Sequence, residues 1–90
     1  MAVTVQLPTT IRSWCGCPGE LSLSATSLRD ALSQIGRDYP ALHRSVCDET
    51  GRPRTHINVF VNSSLATEND LDMPLFTGDT IAIFPAVSGG

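Results

Sequence analysis

Thr77-Gly78-Asp79-Thr80-Ile81-Ala82-Ile83-Phe84-Pro85-Ala86-Val87-Ser88-Gly89-Gly90 is the stretch that decides how this chain is read. Gly78 can take the positive φ that a tight turn requires. Ile81 and Ile83 then alternate with Ala82 and Phe84, which is the period of a strand. Pro85 has no N–H to give to a ladder, so strand pairing is expected to stop there. From Ala86 onward nothing in the sequence suggests packing. Two readings of Gly89-Gly90 stand side by side. One is a frayed chain end. The other is a segment offered to another protein, because a chain without Cβ atoms threads a narrow channel. Five extended residues after Pro85 reach at most about 17 Å.

Outward from this stretch, the next clear element is Ile57-Asn58-Val59-Phe60-Val61-Asn62. Ile57, Val59 and Val61 point one way, and Asn58, Phe60 and Asn62 the other. Asn62-Ser63-Ser64 is a turn, residues 65–68 are expected to form a short edge strand, and Leu71 and Leu75 anchor a turn. At the start, Val3, Val5 and Leu7 alternate in a strand that Pro8 ends. Residues 9–19 are expected to be an irregular loop broken by Gly16, Pro18 and Gly19. Leu21 and Leu23 mark a second strand. Ser27 with Asp30 three residues on resembles a capping box. Leu28, Ala31, Leu32 and Ile35 then form one apolar helical stripe. Gly36 and Pro40 lie at its end, and residues 41–47 suit a short second helix with Leu42 and Val46 inward. Residues 48–55 read as a polar loop. One-faced strands with one main helix imply a single sheet covered on one side, an α+β roll. Residues 1–85 are read as one domain and residues 86–90 as a flexible tail.

Composition limits the function. The chain has 90 residues and a net charge of −3, and every basic residue is an arginine. That balance argues against nucleic-acid binding, which needs clustered cations. No apolar run approaches the roughly 20 residues of a membrane helix, and no export signal is visible, so a cytoplasmic protein without a membrane partner is expected. Cys15, Cys17 and Cys47 are then expected to be free thiols. Cys15-Gly16-Cys17 with Cys47, His43 and His56 is too weak a pattern for zinc, so no metal site is assigned. A Cys15–Cys17 pair would close a small, strained ring. His43 and His56 are read as surface residues. Asp38, Asp48, Glu49, Glu68, Asp70 and Asp72 form a solvated acidic surface, with steering toward a basic partner as the competing use. Trp14 is a loop anchor or a partner contact. No phosphate-binding loop is present.

With these residues in view, the chain resembles the bacterial sulfur carriers of the ubiquitin-like β-grasp type. The resemblance rests on Val59-Phe60-Val61-Asn62, Leu71-Asp72-Met73-Pro74-Leu75, Gly78-Asp79-Thr80-Ile81 and the tail from Pro85 to Gly90. Leu7-Pro8-Thr9 with Ile11-Arg12 resembles the branch that supplies sulfide for cysteine synthesis. The thiamine sulfur carrier and the small subunit of molybdopterin synthase are sister branches. Ser88 and the glycine-free Asn62-Ser63-Ser64 turn depart from the usual pattern, and Cys15-Gly16-Cys17 is no part of it.

The resemblance implies a mixed sheet of four to five strands with one main helix packed on one face. It also implies that the chain is not an enzyme and binds no cofactor. A ubiquitin-activating-type adenylyltransferase would use ATP to activate the Gly90 carboxylate, and a sulfur donor would turn it into a thiocarboxylate. Gly89, Ser88 and Val87 would be recognised as the tail. The acceptor would be a pyridoxal-phosphate-dependent cysteine synthase or, in the rival branch, the large subunit of molybdopterin synthase. Two further rivals are a ubiquitin-like modifier joined through Gly90 and an inert interaction module. On the β-grasp layout Phe60 and Phe84 lie together on the uncovered face and are the expected docking patch. Burial of both rings under the loop around Trp14 is the competing expectation.

Overall fold

The computed structural model describes residues 2–85. Residues 86–90, which carry the expected tail with Val87, Ser88, Gly89 and Gly90, lie outside the described residues. The described chain runs β1 (Val3–Gln6), α1 (Thr9–Cys15), β2 (Glu20–Leu23), α2 (Leu28–Asp38), α3 (Pro40–Val46), β3 (Ile57–Val61), β4 (Ser64–Ala66), a 3-10 turn (Glu68–Asp70) and β5 (Thr80–Pro85). The sheet order is β2-β1-β5-β3-β4. β1 and β5 are parallel, and the other pairs are antiparallel. The first and last strands are therefore neighbours at the centre of a five-stranded mixed sheet.

Alternation sets the two faces. Val3, Val5, Leu21, Leu23, Ile57, Val59, Val61, Ile81 and Ile83 are buried on one side. They share a core with Leu28, Ala31, Leu32 and Ile35 of α2, and with Leu42 and Val46 of α3. The inward residues expected for the long strands and for both later helices are thus in place. Fully burying one such side chain stabilises by about 1.5–3 kcal/mol.

Residues 9–19 correct the sequence reading, because a helix stands where an irregular loop was expected. Pro8 occupies the extended N-cap position, and its carbonyl accepts from Arg12 N–H at 3.0 Å. Gly16 closes the helix at φ 67, donating its N–H to Arg12 O at 2.8 Å. Gly16 is thus a left-handed helix cap and not a loop breaker. Ile11 anchors the helix in the core with no exposure. The edge strand is also displaced, to Ser64–Ala66, because Thr67 caps the 3-10 turn in a capping box with Asp70.

The start of α2 combines local and long-range caps. Ser27 Oγ accepts from Asp30 N–H at 3.1 Å, and Asp30 Oδ2 accepts from Thr26 N–H at 3.0 Å. Leu28 and Arg29 N–H groups, which no helical carbonyl can reach, donate to Met73 O and Leu71 O at 3.2 and 2.7 Å. The segment with buried Leu71 and Leu75 is therefore tied to the helix start. At the other end, α2 and α3 meet at Gly36, where an added Cβ would lie 3.1 Å from the His43 ring.

Candidate functional site

The uncovered face of the sheet is read from register. Phe60 pairs with Ala82, and Asn58 pairs with Phe84, so the two aromatics sit diagonally across neighbouring strands. Their ring centroids are 6.0 Å apart with planes at 70°, an edge-to-face contact. Such a pair adds about 0.5–1.5 kcal/mol beyond area burial. Phe84 nevertheless remains 41% exposed, and Phe60 is half-buried. With Gln6, Asn62, Ser63, Thr80 and Ala82 they line an open depression of about 660 Å³.

The competing expectation, burial under the loop around Trp14, fails. That loop is α1, whose Ile11 reaches the helix-covered core, and Trp14 is 46% exposed. Trp14 is not among the residues lining the aromatic depression. The sequence reading missed Leu65. Its register partner is Phe60, and it is 54% exposed, so it extends the apolar row to the sheet edge. The signal was present in the alternation around the Asn62-Ser63 turn, but a three-residue strand is too short to stand out.

The depression is bounded at one end by a hydrogen-bonded turn. Asn62 and Ser63 adopt φ 50 and φ 75. Asn is among the few non-glycine residues that adopt such a φ readily, and here its amide bonds across the turn. Its Nδ2 donates to Asp79 Oδ1 at 2.9 Å, and its Oδ1 accepts from Thr80 N–H at 2.9 Å. Asp79 Oδ2 also accepts from Phe76 N–H at 2.8 Å. These donors, the Phe76 amide first and then the Asn62 side chain, hold the Asp79 carboxyl below its ordinary range. At the opposite end Pro85 faces Ile57. Pro85 is the last described residue, next to Phe84.

Cys17 is disulfide-bonded, which corrects the expectation of a free thiol. Cys47 is free and buried, and burial, reinforced by Asp48, pushes its thiol up to about 11. Among the described residues no group of three or more His, Cys, Asp or Glu side chains is placed to hold a metal. His56 is exposed, whereas His43 is half-buried against Gly36. Asp48 accepts from Thr50 and Arg52 N–H groups and so shapes its own loop. Asp72 pairs with Arg29 at 2.9 Å in full solvent, a contact worth little. No helix among the described residues is long and apolar enough to cross a membrane.

The five-stranded sheet with its first and last strands parallel at the centre, closed on one side by α2, is a ubiquitin-like β-grasp. Within that class the chain belongs to the ThiS family, whose profile matches residues 5–90. It is 29% identical over 93 aligned positions to the sulfur carrier protein CysO of Mycobacterium tuberculosis, covering all of both chains. Over 61 residues it is 39% identical to small archaeal modifier protein 1 of Haloferax volcanii, covering 68% of this chain and 67% of that one. The crystal structure of the Haloferax modifier superposes with a TM-score of 0.81 at 28% identity, covering all of both chains. A chain of the Amycolatopsis orientalis BexX/CysO complex also superposes at 0.81, with 27% identity, covering 99% of this chain and all of that one.

Proposed function

We propose that this chain is a sulfur carrier that does no catalysis itself. Its Gly90 carboxylate is adenylated by a ubiquitin-activating-type enzyme using ATP, and a sulfur donor then displaces AMP to leave a thiocarboxylate. The observation that carries this reading is the alignment with a named sulfur carrier along the whole of both chains. The fold supports it, because β5 leads from the core to Pro85 and the chain continues directly to Gly89-Gly90.

The division of labour rests on chemistry. A carboxylate resists nucleophilic attack, so a partner must make it an acyl-adenylate. The thiocarboxylate sulfur is ionised at neutral pH and nucleophilic, as thiolates are. Gly89, Ser88 and Val87 are small enough for a narrow partner channel. Phe60 and Phe84, with Leu65 beside them, offer an apolar patch at the root of the tail. An exposed ring held edge-to-face against a half-buried one is pre-ordered for docking, which lowers the entropic cost of binding.

In this reading sulfide goes to an aminoacrylate on a pyridoxal-phosphate enzyme, in cysteine synthesis. A second reading, attachment to other proteins through Gly90, is favoured by the 39% identity to the archaeal modifier. Intact mass spectrometry separates them. Incubation with the organism's adenylyltransferase, ATP and a sulfide source should exchange one oxygen of the chain for sulfur. Large protein adducts without that exchange would favour the modifier. No ATP-dependent change of either kind would overturn the carrier reading.

A further inference from the structure

The 90-residue sequence contains no lysine, and its six cations are all arginines. An activated acyl group discriminates sharply between these two residues. A lysine amine with a pKa of about 10.4 is unprotonated in roughly one molecule in a thousand at neutral pH, and that fraction attacks acyl carbons. A guanidinium stays protonated throughout the range in which proteins are folded and offers no nucleophilic lone pair.

The described thiols are withheld as well. Cys17 is disulfide-bonded. Cys47 is 1% exposed, and its thiol stays protonated at neutral pH because burial raises it to about 11. The arrangement is sharpest around Pro85, the last described residue. Ile57 faces Pro85, and its N–H donates to Arg54 O at 2.9 Å. Arg54 in turn donates from Nε to Arg44 O at 3.1 Å, and His56 is exposed beside Ile57. Five residues beyond Pro85 span at most about 17 Å. Arginine charge at this edge of the sheet is therefore held in a form that cannot be acylated, and acylation of the His56 imidazole would give only a labile acyl-imidazole that returns to the hydrolysed chain.

We propose that the body of this protein is cleared of side-chain amines able to capture its own activated C-terminus as a stable amide, so that the acyl group persists until an external nucleophile arrives. The proposal rests on the carrier reading, since it presumes an activated Gly90. In the side reaction that is avoided, an amine nitrogen attacks the Gly90 carbonyl carbon. A C–N bond forms, the bond from that carbon to the adenylate oxygen breaks, AMP leaves with the electron pair, and the ammonium proton passes to solvent. Nothing is oxidised or reduced.

The test installs the activated end chemically, so it does not depend on any partner. The full chain, N-terminally acetylated, is produced as a C-terminal thioester by intein cleavage and held at pH 8. Intact mass and peptide mapping follow its fate. Three chains are compared: the native sequence, His56→Lys and Asn58→Lys, the last opposite Phe84. The native chain should only hydrolyse. Each lysine variant should give, as its main product, a species one water lighter than the hydrolysed chain, with the crosslink at the new lysine. A side-chain adduct in the native chain would overturn the proposal. So would lysine variants as inert as the native chain, because lysine exclusion would then protect nothing. Failure of the carrier reading would appear elsewhere, as absence of ATP-dependent sulfur exchange with the adenylyltransferase.

Discussion

The two ends of β5 are built in opposite ways. At its start, Asp79, Asn62, Phe76 and Thr80 are joined by side-chain hydrogen bonds that lock turn to turn. At its finish, Pro85 faces Ile57, and the neighbouring side-chain contact is the edge-to-face meeting of Phe60 and Phe84. Between them Ile81 and Ile83 have no exposure. The first end holds the strand, and the second is the last described point before residues 86–90. The difference teaches that a rigid strand can serve as a mount: it fixes the position of Pro85 while leaving apolar surface beside it.

Each part of that contrast can be broken separately. Ile83→Ala removes the shared mount and should cost about 2–5 kcal/mol, read as a fall in the urea midpoint. Phe84→Ala attacks only the second end. Its folding cost should be about 1–2 kcal/mol, since the ring is partly exposed but loses its edge-to-face contact with Phe60. Its rate of reaction with the adenylyltransferase should nevertheless fall more than about tenfold, the behaviour of a docking anchor. An unchanged rate would remove the aromatic patch from the docking surface. Asn62→Gly keeps the positive φ at the fixed end but deletes two side-chain bonds, so it should destabilise by about 1 kcal/mol and leave partner reactions unchanged.

The smallest effect is in acid. The Asp79 carboxyl titrates below its ordinary value of 3.8 in the folded chain. Its contribution is therefore complete above that value and is lost as pH falls through the lower folded one. Asp79→Asn should flatten this acid arm of the stability curve without abolishing it. Asp48 and Asp72 are lowered too, by Thr50 and Arg29 respectively, and supply the remaining slope.

The legible parts of the sequence were those with long, unbroken periodicity. Strand alternation at Val3, Val5, Ile57, Val59, Val61, Ile81 and Ile83 marked the buried face, and the α2 stripe marked its cover. Helix α1 was hidden because Gly and Pro are ambiguous in sequence. Pro8 and Gly16 bracket a helix as readily as they break a loop, and Ile11 is the single described residue of α1 in the core. The proximity of Phe60 and Phe84 came from alternation combined with the β-grasp strand order. Leu65 escaped because its strand is three residues long. The hydrogen bonds of Asn62 join residues seventeen and eighteen positions apart, which no local pattern encodes.

The parallel pairing of β1 with β5 has a consequence for synthesis and turnover. The sheet's middle is completed by β5, the last of the described strands in chain order, so the body cannot close before Thr80–Pro85 has been made. A chain cut before Thr80 loses a central beam, not a fringe. Truncated copies should therefore unravel and be degraded before they can crowd out intact molecules on a partner's surface.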